Sequence, residues 1–145
     1  MQQDRIVRPI ALAYAGAFLL ATIMGVVPNP LVGHGALFHT NAAHNLVHLA
    51  TALGFATVAM IGTRATIRFM QGFGVVYLAV GVLGFFVIGE GGYGYLLGLV
   101  HINALDNYLH LGLGAAILAT GVALARREDS TGESPAAASA ASTVG

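Results

Sequence analysis

The sequence predicts an all-α fold, a polytopic membrane four-helix bundle made of two repeated helical hairpins. Three observations point there. Of 145 residues, 57% are hydrophobic and only 8% charged, with a mean hydropathy of +0.78, a balance outside that of soluble domains. The six basic residues, Arg5, Arg8, Arg64, Arg68, Arg126 and Arg127, each stand beside an end of an apolar run. A motif also recurs at a constant offset of 62 residues (41 to 103, 48 to 110): Asn41, Ala42, His44, Asn45, His48 and Leu49 return as Asn103, Ala104, Asp106, Asn107, His110 and Leu111, with His39 answered by His101. In a chain so poor in polar residues, a match in one register marks a duplicated unit.

Helix one is expected over about residues 9–27, because Pro9 is tolerated in a first turn and no charge follows before the Pro28-Asn29-Pro30 stop. An Arg-flanked apolar start also suits a signal peptide, but the length of the run and its place in the repeat favour a retained span. Ala13, Ala17 and Ala21 fall at i, i+4 and i+8, either a stripe that lets membrane helices approach closely or an ordinary Ala-rich span. The connection 31–40 carries His34 and His39 and no Arg. Asn41, a good N-cap residue, opens helix two, 41–62. Helix three, 69–89, is uncharged, and Gly72, Gly74, Gly81 and Gly84 permit close packing. The segment 91–102, with four Gly and two Tyr, is expected to fold back along the membrane surface or partly re-enter the bundle, its tyrosines suiting the interface. Helix four follows, 103–125. Residues 1–125 thus form the transmembrane domain, and 126–145 are too polar and Ala/Ser-rich to bury a core and are expected to be a disordered cytoplasmic tail.

Arginine placement sets the expected orientation. The N-terminus, the link from helix two to three and the C-terminus hold all six, so both termini are placed in the cytoplasm. The second hairpin then runs in the same direction as the first, about a pseudo-two-fold axis along the membrane normal. Fifteen residues separate His48 from Arg64, and 15 separate His110 from Arg126. At 1.5 Å per residue they cover about 22 Å, short of a hydrocarbon core of about 30 Å. The motif therefore lies in the outer leaflet, with all six histidines at or near the outer side.

The run from Asn41 to Leu49, with His-Asn-Leu-Val-His at its centre, and the run from Asn103 to Leu111, with Asp-Asn-Tyr-Leu-His, resemble the bacterial four-helix membrane proteins grouped as domain of unknown function 4383. The resemblance covers about residues 5–125, and Tyr108 stands where Trp is expected. It implies a bacterial inner (plasma) membrane location and four helices. It implies no activity.

The motif residues themselves admit several roles. Intramembrane polar side chains are costly unless paired and commonly mark function. In one reading Asn41 and Asn103 cap helices two and four, while Asn45, Asn107, His48 and His110 hydrogen-bond across the pseudo-axis and fix the packing. In another, His44 with His48 and Asp106 with His110, each at i, i+4, converge on a transition metal, with Asn45 or Asn107 orienting the rings. A third has His48 and His110 as axial ligands of non-covalent haem b. A proton-responsive or transport role for the histidines with Asp106 and Glu90 is a fourth. Packing is placed first and metal second.

Other classes are poorly served. Without Cys there is no disulfide, Cys-ligated zinc, iron–sulfur cluster or covalent haem. Thr40 and Thr51 lack a nucleophile's surroundings, and Ser130, Ser134, Ser139 and Ser142 lie in the tail, so the reading leans away from an enzyme. No basic patch suggests nucleic acid. The expected partner is the lipid bilayer, with room for a homo-oligomer.

Overall fold

The structure, a computed structural model, describes residues 4–132. In chain order it contains α1 (Asp4–Met24), β1 (Val32–Gly33), β2 (Phe38–His39), α2 (Ala42–Ile61), α3 (Thr63–Ile88), β3 (Tyr93–Leu96), β4 (Val100–Asn103) and α4 (Ala104–Gly132). All four helices are long and apolar enough to cross a membrane. Much of their apolar surface is turned outward, Leu12, Leu19, Leu53, Val76 and Phe86 among it, a coat suited to lipid rather than to water.

The helix ends depart from the sequence expectation for identifiable reasons. α1 begins five residues before Pro9, with Asp4 in its first turn, where a carboxylate meets the positive end of the helix dipole. It stops at Met24, and the Asn29 side chain then organises the loop: Nδ2 donates to the carbonyls of Met24 (2.6 Å) and Val32 (3.0 Å), and Oδ1 accepts from the N–H groups of Leu31 and Val32. α2 and α3 are joined by Gly62 alone. Its φ of 139° and ψ of 174° lie in a region essentially reserved for glycine, and Thr66 ties the reversal by donating its hydroxyl toward the carbonyls of Val58 (2.8 Å) and Gly62 (3.0 Å). Arg64 and Arg68 therefore belong to the first turns of α3 rather than to a link. α4 continues through Arg126 and Arg127 to Gly132, so the tail expected from 126 begins no earlier than 133, and 133–145 lie outside the described residues.

α1 lies along α2, and α3 along α4. The packing face of α1 is Val7, Ala11, Ala15 and Phe18; the Ala13–Ala17–Ala21 stripe is rotated away from it, with Ala13 and Ala17 exposed. Phe55 of α2 is the hub, its ring 5.3 Å from Tyr14, 5.9 Å from Phe18, 5.0 Å from Phe69 and 5.5 Å from Phe73. α3 and α4 meet backbone to backbone: a Cβ on Gly74 would stand 2.6 Å from the Leu118 nitrogen, and one on Gly114 2.7 Å from that of Leu78. Gly81 and Gly84 also face α4, whereas Gly72 has open space beside it. α2 and α4 scarcely touch along their length, and α1 reaches α4 through Tyr14 Oη and Thr120 Oγ1 at 3.1 Å.

The two ends of the bundle differ. At one, the start of α1, the Gly62 link and the end of α4 come together: the Thr63 hydroxyl donates to the Asp4 carboxylate, and Arg64 Nε to Glu128 Oε1 at 3.1 Å. At the other lie two short ribbons. β1 and β2 pair in parallel, Val32 with Phe38 and Gly33 with His39. β3 and β4 form an antiparallel hairpin from Tyr93↔Asn103 to Leu96↔Val100, turning on Leu97 (φ 54°) and Gly98 (φ 71°), the pair of left-handed residues that a type I′ turn requires. The all-α expectation contained no strands; the segment 91–102 folds back, and does so as this hairpin.

Candidate functional site

The ribbons bring the two motif copies together. Asn41 caps α2, its Oδ1 accepting from His44 N–H at 2.9 Å, and its Nδ2 donates to the carbonyl of Leu99 at 2.8 Å. Asn103 caps α4, its Oδ1 accepting from Asp106 N–H at 3.0 Å, and its Nδ2 donates to the carbonyl of Leu37 at 2.8 Å. Each asparagine thus starts its own helix and holds the loop of the other hairpin. Leu37 and Leu99 are themselves 62 residues apart, 99 minus 37.

The position where the motif copies differ is explained by the atoms it faces. Asp106 Oδ2 accepts from Asn103 N–H at 2.7 Å, closing a capping box, and from His39 N–H of the other hairpin at 3.0 Å. His44 sets Nδ1 against the carbonyl of His101 at 2.8 Å and that of His39 at 3.1 Å. Carbonyls only accept, so this nitrogen carries the proton and the neutral ring keeps its Nε2 lone pair. An N–H on one side calls for an acid, and a carbonyl on the other for an imidazole.

Asn45 and Asn107 do not bond across the axis as expected. Each is seated on a glycine of its own hairpin: a Cβ on Gly25 would fall 1.9 Å from Asn45 Oδ1, and one on Gly84 1.9 Å from Asn107 Oδ1. Asn45 Oδ1 and Asn107 Nδ2 are buried without a hydrogen-bond partner among the described residues.

The histidines form two tiers. In the inner one, the His44 ring stands 4.5 Å from His48 and 5.9 Å from His110, which lies 4.6 Å from Tyr77. His110 Nδ1 donates to the Asp106 carbonyl one turn back. These side chains, with Asp106 and Thr40, line a cavity of about 260 Å³ whose remaining wall is Ala17, Leu20, Ala21 and Met24 of α1, Leu31, Val32, Phe38 and Leu109. Thr40, 2% exposed, has its Oγ1 buried without a partner among the described residues, as is His48 Nδ1. Among the described residues no group of three or more His, Cys, Asp or Glu is set to hold a metal ion. Three of the four expected metal donors, His44, Asp106 and His110, already spend a side-chain atom on backbone groups, and His48 is the fourth.

In the outer tier, His101 has the rings of His34 (5.1 Å), His39 (4.9 Å) and Tyr95 (4.9 Å) around it, with Tyr93 at 6.2 Å. Burial, and then the neighbouring imidazole of His34, hold His39 below the ordinary histidine range; burial, and then His39, His34 and His44, do the same for His101. The motif analysis singled out every inner histidine but missed Tyr77 and Thr40, which carry no repeat signal, and the carbonyls of Leu37 and Leu99, which the offset relates.

Comparison with curated proteins finds no match, and comparison with solved structures finds none either. Over residues 67–130 the chain matches the model of the family described as Domain of unknown function (DUF4383), the family its paired motifs resemble, and the match takes in the Asn103-to-Leu111 motif while the Asn41-to-Leu49 motif lies outside it.

Proposed function

We propose that this is a multi-pass protein of the bacterial inner membrane, both termini cytoplasmic, whose duplicated Asn/His cluster in the outer-leaflet half of α2 and α4 fixes how two repeated hairpins pack. The observation that carries the reading is the reciprocal clasp, Asn41 on Leu99 and Asn103 on Leu37. The hairpins also meet through α3, where Phe69 and Phe73 pack on Phe55, but α2 and α4 have little lateral packing of their own, so bonds at their outer ends add to what holds the hairpins in register. The His44 and Asp106 contacts serve the same end. The arginines gathered at the other end favour that end as the cytoplasmic one.

A transition metal at His44, His48, Asp106 and His110 is the competing reading. It receives less support: His44 and His110 keep an Nε2 lone pair that could ligate, but among the described residues no three His, Cys, Asp or Glu side chains are grouped to hold an ion. Haem b between His48 and His110 receives less again: the His44 ring stands beside both. A cavity of about 150 Å³ accommodates benzene, so the 260 Å³ here suits one substituted ring rather than a four-pyrrole macrocycle.

A double-mutant cycle on Asn41→Ala and Asn103→Ala, read by unfolding in mild detergent, tests the clasp. Both single variants are expected to destabilise, with unchanged helix content by circular dichroism. Wild-type stability in both would refute the reading, and near-stoichiometric metal or a haem band lost on His48→Ala or His110→Ala would replace it. Reporter fusions after residues 35, 66, 95 and 130 test the orientation; an outside signal at 66 would overturn it.

A further inference from the structure

We propose that the cavity beneath the clasp binds the ring of a lipid-soluble phenol or hydroquinone that enters sideways from the bilayer between α1 and α4. The cavity has the make-up of a small-molecule site: apolar walls with a few convergent polar groups. Further along the helices, outside the cavity's lining, Tyr14 of α1 meets Thr120 of α4. Above that bridge α1 and α4 are unpaired, and the wall there is Ala17, Leu20 and Ala21 on one side and Leu109 on the other. Leu20 and Leu109 are exposed on the lipid-facing surface, so an alkyl tail leaving the cavity passes directly into hydrocarbon.

The polar groups define the head. His44 and His110 use Nδ1–H on carbonyls, leaving each neutral ring an Nε2 that only accepts. Thr40 and His48 both line the cavity, Thr40 Oγ1 and His48 Nδ1 are buried without partners among the described residues, and buried polar groups are seldom left so. A hydroxyl both donates and accepts, so one phenolic O–H satisfies an imidazole nitrogen and the Thr40 hydroxyl together. A carboxylate head would instead be set beside Asp106. The surrounding rings, Tyr77, Phe38 and the imidazoles, suit an aromatic head, and the volume admits one substituted ring.

The inference rests on the membrane location proposed above and not on the clasp. Its test uses the full chain in detergent micelles with 4-decylphenol and its methyl ether 4-decylanisole, which matches it in shape but has no donor. The melting point without probe reports the clasp, and its rise on titration with probe reports the cavity. The phenol is expected to bind about tenfold more tightly than the ether, the size of one good hydrogen bond. His48→Phe should remove most of that preference and leave ether binding in place, whereas Thr40→Val, which removes a hydroxyl that either oxygen can accept from, should weaken both probes. Should either variant fail to fold, Ala17→Phe on the exposed rim closes the mouth from outside the core and should abolish binding of both probes. Equal binding of phenol and ether, binding indifferent to Ala17→Phe, or no binding, the cavity then holding water only, would each overturn the proposal.

Discussion

The two ends of the bundle are both polar, yet they are held by different physics. At the arginine end, formal charges meet in water: Arg64 and Glu128 pair with side chains 83% and 32% exposed, and such pairs contribute little. At the ribbon end the bonds of Asn41 and Asn103 to Leu99 and Leu37 are exposed too, but His44 and Asp106 are buried and bonded to backbone groups. There the loss of one side chain strands a donor or acceptor away from water. The contrast teaches that what a polar contact is worth in this chain follows burial rather than charge.

The contrast can be broken most forcefully at Asp106. Asp106→Ala leaves the N–H groups of His39 and Asn103 without their acceptor and should destabilise by about 3 kcal/mol in detergent unfolding, while Asp106→Asn, which retains an oxygen, should lose about 1 kcal/mol. Equal effects of the two would mean that the carboxylate is needed for its charge, as a metal ligand would be. Next come Asn41→Ala and Asn103→Ala, each removing a cap and a cross-hairpin bond, at about 2 kcal/mol apiece. The arginine end should respond less. Gly62→Ala forces a side chain onto a φ of 139° and should lose about 1–2 kcal/mol through strain. Arg64→Ala should change stability by less than about 0.5 kcal/mol.

Acidification sharpens the same comparison without mutation. Burial and neighbouring imidazoles depress His39 and His101 below the usual 6.5. On local opening they regain the ordinary value and take up protons. The stability they lend the closed ribbons is therefore complete above about pH 6.5 and is lost as the pH falls through their lowered values. Amide exchange in β3 and β4 should accelerate over that window relative to the intrinsic exchange rate, with the Gly62 turn unaffected. His101→Phe should flatten the response.

The number of helices and the focal motif were legible because both rest on pattern: apolar runs of spanning length and a repeated set of rare polar residues. Asn41 and Asn103 were legible as caps, since a helix start favours such a side chain wherever it occurs. Their second bonds were not, because Leu37 and Leu99 contribute carbonyls and a carbonyl leaves no trace in the identity of its residue. Asn45 and Asn107 were assigned to each other when each in fact lies on a glycine, an absence of side chain that only three-dimensional proximity reveals. The β3–β4 hairpin was legible only as a segment that folds back or re-enters the bundle, because the four glycines of that segment carry no strand pattern and the turn at Leu97-Gly98 shows only in the backbone. His44 against Asp106 looked like a mixed ligand set, because sequence shows the two residues and not the carbonyl and N–H they answer.

That last pair also makes the two hairpins distinguishable to one another. Were both positions aspartate, one carboxylate would confront the His101 carbonyl; were both histidine, the His39 N–H would lose its acceptor. A hairpin set against an identical copy of itself is therefore always mismatched at one of the two places. The contact fits two unlike partners better than two alike.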